Sequence, residues 1–100
     1  MAPPYELHFS VEASKVLDDL DKPQFEKKQK KVRRALKALQ DIGPKHPPLN
    51  SHKLQGIKGP DKKDLWDSYV ENGTPAAWRI YWVYGDRDVI YVISIGPHRY

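Results

Sequence analysis

Hydrophobic and polar positions follow two periods along this chain, one of two residues and one of about 3.6. Tyr5, Leu7 and Phe9 alternate with Glu6 and His8, which predicts a short, half-buried strand over 5–9. Ser10 can cap a following helix, its hydroxyl accepting an orphan backbone N–H. Ala13, Val16, Leu17 and Leu20 then recur at helical spacing and give that helix one apolar stripe. Asp21-Lys22-Pro23 interrupts the pattern, and Pro23 suits the first turn of a new helix, where its missing N–H costs nothing. The second helix is predicted over 23–42 with Phe25, Val32, Ala35, Leu36, Leu39 and Ile42 as its buried stripe. Gly43-Pro44 stops it.

Residues 43–63, rich in proline, glycine and lysine, read as a long and mostly irregular connection. Alternation returns over Leu65–Glu71, with Trp66, Ser68 and Val70 on one side and Leu65, Asp67 and Tyr69 on the other. Asn72-Gly73 is a favourable tight-turn pair. From Ala76 to Tyr100, two aromatic and β-branched runs flank Gly85-Asp86-Arg87-Asp88, the composition of a β-hairpin. With those four residues as the loop, Tyr84 faces Val89. Trp78, Ile80, Trp82, Tyr91, Ile93 and Ile95 then share a greasy face, and Arg79 pairs with Ser94 on the other. His98 and Tyr100 extrapolate to the side of Arg79. The expected fold is α+β: a single two-layer β-α-α-β-β-β domain over 1–100, its helical hairpin packed on a small, mainly antiparallel sheet. The first strand must take one edge of that sheet, and the pattern does not say which.

Composition narrows the chemistry. There is no cysteine, so disulfides and thiolate metal sites are excluded, and the four histidines lack ligand spacing for a metal. No phosphate-cradling glycine loop appears, so no cofactor is expected. No apolar run approaches a membrane span and the N-terminus lacks a signal-peptide core, which fits a soluble cytoplasmic protein with no membrane partner. The formal net charge is +4, concentrated in two places. Lys22–Lys37 holds eight basic residues against the single acid Glu26. Lys45–Lys63 adds Lys45, Lys53, Lys58, Lys62 and Lys63 with His46 and His52. Such patches favour polyanions, although a lysine run is as readily a solvated helix face.

The order of elements and several segments resemble the RelE/ParE superfamily of bacterial toxins from type II toxin–antitoxin systems. The segments are Tyr5–Ser10 with Ala13, Ala35–Leu39, His52-Lys53-Leu54-Gln55-Gly56, Leu65-Trp66, Trp78-Arg79-Ile80-Tyr81, and Val92–Gly96 with His98-Arg99-Tyr100. The likeness spans nearly the whole chain and rests on order and spacing together. It implies a RelE-like fold and a cognate antitoxin that wraps the toxin. It also implies one of two actions: ribosome-dependent cleavage of messenger RNA, or, in the ParE branch, poisoning of DNA gyrase without nuclease residues. A lapsed relative that only binds antitoxin or RNA is the third reading.

RNA cleavage by 2′-hydroxyl attack needs a base for that hydroxyl, a cation for the phosphate and an acid for the leaving 5′-oxygen. By the resemblance, Arg79 occupies a phosphate-binding position, and His98 and Tyr100 match catalytic residues near the C-terminus of nuclease members. His52 and Lys53 lie in the motif before the sheet and are candidate RNA contacts, while Lys58, Lys62 and Lys63 suit a diffuse electrostatic surface. Asp67 is a possible base, a possible orienter of His98, or a solubilising residue on a sheet edge. Pro97, where many relatives run directly into the histidine, shifts His98 by one position.

Overall fold

In the computed structural model, which describes residues 4–100, the chain forms β1 (Glu6–Phe9), α1 (Val11–Leu20), α2 (Glu26–Asp41), β2 (His52–Lys58), β3 (Asp64–Tyr69), β4 (Trp78–Tyr84) and β5 (Val89–Pro97). The first three residues, part of the N-terminus read above for a signal-peptide core, lie outside the described residues. Ser10 caps α1 as its position predicts: Oγ accepts the Ala13 N–H at 3.0 Å and donates to the Ile93 carbonyl at 2.5 Å. A short 3₁₀ turn, Pro23–Phe25, leads into α2. Gly43 ends the helical hairpin at φ +115°, where its N–H donates to the Ala38 carbonyl and a Cβ would stand 2.8 Å from the Tyr5 ring. Of the predicted α2 stripe, Val32, Ala35, Leu36 and Leu39 are buried, but Phe25 and Ile42 are exposed. Both stand in the flanking cap positions, off the regular helical stripe.

The five strands lie in the order β1-β5-β4-β3-β2. β1 takes the β5 edge and runs parallel to it, and every other neighbouring pair is antiparallel. The architecture is thus the expected α+β two-layer domain with one strand more. Residues 43–63 are not mostly irregular: they contain β2 and two 3₁₀ turns, Pro47–Leu49 and Pro60–Lys62. β2 escapes a search for alternation because Gly56, at φ +73°, and a register shift between Lys53 and Lys58 break its period of two. The Asn72-Gly73 expectation also changes. β3 ends at Tyr69, and the turn into β4 is closed by Ala77 N–H donating to the Thr74 carbonyl at 3.1 Å.

The hairpin register differs from the predicted one twice. Gly85 N–H donates to the Val89 carbonyl, so the loop is Asp86-Arg87-Asp88, Arg87 is left-handed at φ 56°, and Tyr84 faces Ile90. A bulge then inserts Ile93: Trp82 faces Val92, yet Tyr81 faces Ser94 and Arg79 faces Gly96. The two slips redistribute the faces. Ile90, Val92 and Ile95 join Ile80 and Trp82 under the helices, packed with Leu20, Val32, Leu36 and Leu39. Ile93 packs instead on the other face with Leu65, Tyr81, Val83, Leu54 and Ile57, and Tyr91 is 40% exposed. Under the helices Trp66 stacks on Trp82 at 5.5 Å, and the Trp82 indole N–H donates to Ser68 Oγ at 2.8 Å, leaving no orphan donor there. Glu71 ties the layers by accepting from Lys28 Nζ at 2.6 Å, Lys31 Nζ at 3.0 Å and the Trp78 N–H at 3.2 Å. Among the described residues no helix is long and apolar enough to cross a membrane.

Candidate functional site

Because both helices cover one face of the sheet, the other face is left to side chains alone, and its polar end is where chemistry gathers. Register does the gathering. His52 on β2 is opposite Asp67 on β3, Asp67 is opposite Tyr81 on β4, and Tyr81 is opposite Ser94 on β5. The next row pairs Tyr69 with Arg79. Side chains alternate along a strand, so these residues rise from the same face.

Asp67 sits at the centre with no exposed surface, and Arg79 beside it is only 8% exposed. Arg79 Nη1 stands 3.6 Å from Asp67 Oδ1, and His52 Nε2 stands 3.9 Å from Asp67 Oδ2. Both separations allow ionic attraction and exceed hydrogen-bond length. The guanidinium lies over the Tyr69 ring, 3.6 Å from its centroid. The His52 ring meets the same tyrosine edge-on at 6.2 Å, and its Nδ1 lies 3.0 Å from the Asn50 carbonyl. Burial pushes the Asp67 carboxyl above its ordinary range, opposed by the nearby His52, Arg79 and His98 charges. His98 stands in the exposed tail, where its backbone N–H donates to the Ala77 carbonyl at 2.9 Å.

The tail is anchored on the same face. The Arg99 N–H donates to the Tyr81 hydroxyl at 3.2 Å, and Arg99 Nη2 donates to Ser94 Oγ at 3.2 Å. The Tyr100 ring stands edge-on to Tyr81 at 4.9 Å. Burial raises the Tyr81 phenol above its usual value, so it stays a neutral hydrogen-bonding group at physiological pH.

Of the residues singled out from sequence, the fold brings Arg79, His52 and Asp67 together on one face, Tyr100 packs against Tyr81 on that face, and His98 stands in the tail between. The lysines stand apart from it. Lys58 Nζ contacts Asp64 at 2.5 Å and Lys53 Nζ lies 4.0 Å from the same carboxylate, which holds Asp64 below its usual range through Lys58 first. Lys63 Nζ donates to the Tyr84 carbonyl. One expectation is overturned: Asp67 does not solubilise an edge, because β3 lies inside the sheet and its carboxylate is wholly buried. Tyr69, Tyr81 and Arg99 were not assigned roles from sequence. Tyr69 could have been found, since it alternates with Asp67, but its pairing with Arg79 depends on β3–β4 register. A concavity of about 470 Å³ lies in the other layer, lined by Leu7, Phe9, Leu17, Val32 and Leu36, well away from this cluster.

No family model and no curated protein matches the sequence. Solved structures do. The YoeB dimer from Staphylococcus aureus aligns with a TM-score of 0.67 at 16% identity, over 97% of this chain and 99% of that one. YafQ from E. coli strain BL21(DE3) aligns with a TM-score of 0.62 at 18% identity, over 94% of this chain and 93% of that one. The E. coli RelBE toxin–antitoxin complex aligns more weakly, at 0.48 and 22% identity over 96% of this chain. The first two likenesses establish the fold of this chain as RelE-like.

Proposed function

We propose that this chain is the toxin of a type II toxin–antitoxin system and acts as a ribosome-dependent endoribonuclease on messenger RNA. The observation that carries the reading is the meeting of His52 and Arg79 at buried Asp67, with the tail that carries His98 and Tyr100 anchored on the same sheet face. A phosphodiester seated at Arg79 finds a cation for its developing charge, and His52 and His98 are the proton-transfer groups of this reading. One imidazole takes the proton of the ribose 2′-hydroxyl as that oxygen attacks phosphorus. The bond to the 5′-oxygen breaks, and the other imidazole, as imidazolium, supplies that oxygen's proton. The products are a 2′,3′-cyclic phosphate and a free 5′-hydroxyl. Tyr69 holds Arg79 flat, and Tyr100, 46% exposed at the tail, offers a ring on which a base can stack. His52 moves in this reading from RNA contact to proton transfer. The remaining lysines supply attraction to ribosomal RNA, and the protein partner is a cognate antitoxin in the cytoplasm.

The test is messenger RNA cleavage in a cell-free translation reaction with the wild-type chain and the His52→Ala, His98→Ala and Arg79→Ala variants. Codon-phased cuts that need ribosomes and fall at least about tenfold in each variant are expected. Cuts that survive all three substitutions would remove the residue assignment. Intact RNA, together with DNA breaks in a parallel reaction of gyrase and supercoiled DNA, would move the protein to the gyrase-poisoning class.

A further inference from the structure

Asp67 is an unusual residue to keep. Its carboxylate has no exposed surface, and among the described residues neither of its oxygens, nor the buried Arg79 Nε, has a hydrogen-bond partner. A salt bridge retained for stability would close to about 2.8 Å and satisfy its lone pairs. This one stays at 3.6 Å from the Arg79 guanidinium and 3.9 Å from the His52 ring, which stand on different strands. A carboxylate buried in that way works against folding. The titratable and charged groups that act on it are His52 from β2, Arg79 and Tyr81 from β4, and, as the weaker of the histidine influences, His98 of the tail. Their net attraction does not compensate, since the carboxyl still lies above its ordinary range with burial as the leading cause. What the charge does accomplish is geometric. One oxygen faces Arg79, whose guanidinium Tyr69 backs, and the other faces the His52 ring.

We infer that Asp67 is a positioning residue of the RNA site, holding the Arg79 guanidinium on Tyr69 and the His52 ring in line with it, and that the fold carries this buried charge at a cost in stability. The inference deepens the nuclease reading and rests on it for its substrate. Its sign is definite. A carboxyl whose folded pKa is raised favours the proton in the folded state, so stability is lost as pH rises from 3.8 through the raised value. Above that range the neutral isostere escapes the loss.

The deciding experiment compares wild type with Asp67→Asn at pH 7 in three measurements. The denaturant unfolding midpoint should stay equal or rise. The cleavage kcat should fall at least about tenfold while KM changes less than about threefold, because an interaction used in the transition state has been loosened. The Arg79 Nε–Hε NMR signal should be sharp in wild type and broadened in the variant. A midpoint that falls in parallel with activity would make Asp67 a structural residue and overturn the inference, as would unchanged kcat. If the wild type cleaves no RNA, the nuclease reading fails separately. The Arg79 signal then decides, and the same line shape in both proteins would sink the positioning role.

Discussion

Arg79 is held from two directions, with Tyr69 under its guanidinium at 3.6 Å and Asp67 beside it at the same distance. The two supports differ in kind. The ring acts through its π face and needs no hydroxyl, whereas the carboxylate acts through charge. Tyr69→Phe should therefore leave RNA cleavage within about twofold of wild type. Tyr69→Ala, which removes a stacking contact of about 1–2 kcal/mol, should lower it by about fivefold to thirtyfold. Cleavage rates on one messenger RNA in the translation reaction check both. Equal losses in Phe and Ala would show that the phenol oxygen, not the ring, is what matters. Tyr69 and Asp67 alternate visibly in the sequence, but neither burial nor the partner Arg79 could be read there. Burial of Asp67 arises only once β2 and β4 close on both sides of β3.

At the scale of elements, one hydroxyl joins three of them. Ser10 caps α1, follows β1 directly and donates to the carbonyl of Ile93, the bulged residue of β5. Ser10→Ala should lower unfolding free energy by about 1–2 kcal/mol, the sum expected for a lost cap and a lost hydrogen bond. Ser10→Asp can still cap the helix but presents a carboxylate to the Ile93 carbonyl. It should stay below wild type in a denaturant titration at pH 7. Full stability in the Asp variant would mean that the bond to the bulge contributes nothing. The cap itself was legible, because serine before an apolar helical stripe is a local signal. The bulge was not. A period-of-two reading of β5 put Tyr91 and Ile93 under the helices, and no local residue marks where the extra position falls.

Across the whole molecule, Glu71 and Asp67 set opposite dependences of stability on pH. Lys28 and Lys31 with the Trp78 N–H hold the Glu71 carboxyl down at about 2, Lys28 contributing most. A depressed folded pKa stabilises the fold above the ordinary 4.5, and that stability drains away as pH falls toward 2. The interval corresponds to at most about 3 kcal/mol, and screening at the partly exposed lysines reduces it to about 1–2 kcal/mol. Glu71→Gln should therefore be less stable than wild type at pH 7 by about that amount. The deficit should shrink as unfolding is repeated at successively lower pH. A deficit that persists unchanged at pH 2 would show that Glu71 acts through shape rather than charge. These contacts also account for Lys28 and Lys31, two members of the basic run on α2, as ties between the helical layer and the sheet.

Local signals were enough to establish the helical hairpin, its stop at Gly43-Pro44, four of the five strands and the two-layer class. Each depends on residues a few positions apart. The likeness of short segments named Arg79, His98 and Tyr100 as candidates. Tertiary structure decided the remainder: that β1 adds in parallel to β5, that His52–Lys58 is a strand, and that His52 and Asp67 meet. The reason is physical. Sheet register is a relation between segments remote in sequence, so a glycine at φ +73° or one bulged isoleucine moves side chains between faces without leaving any periodic trace.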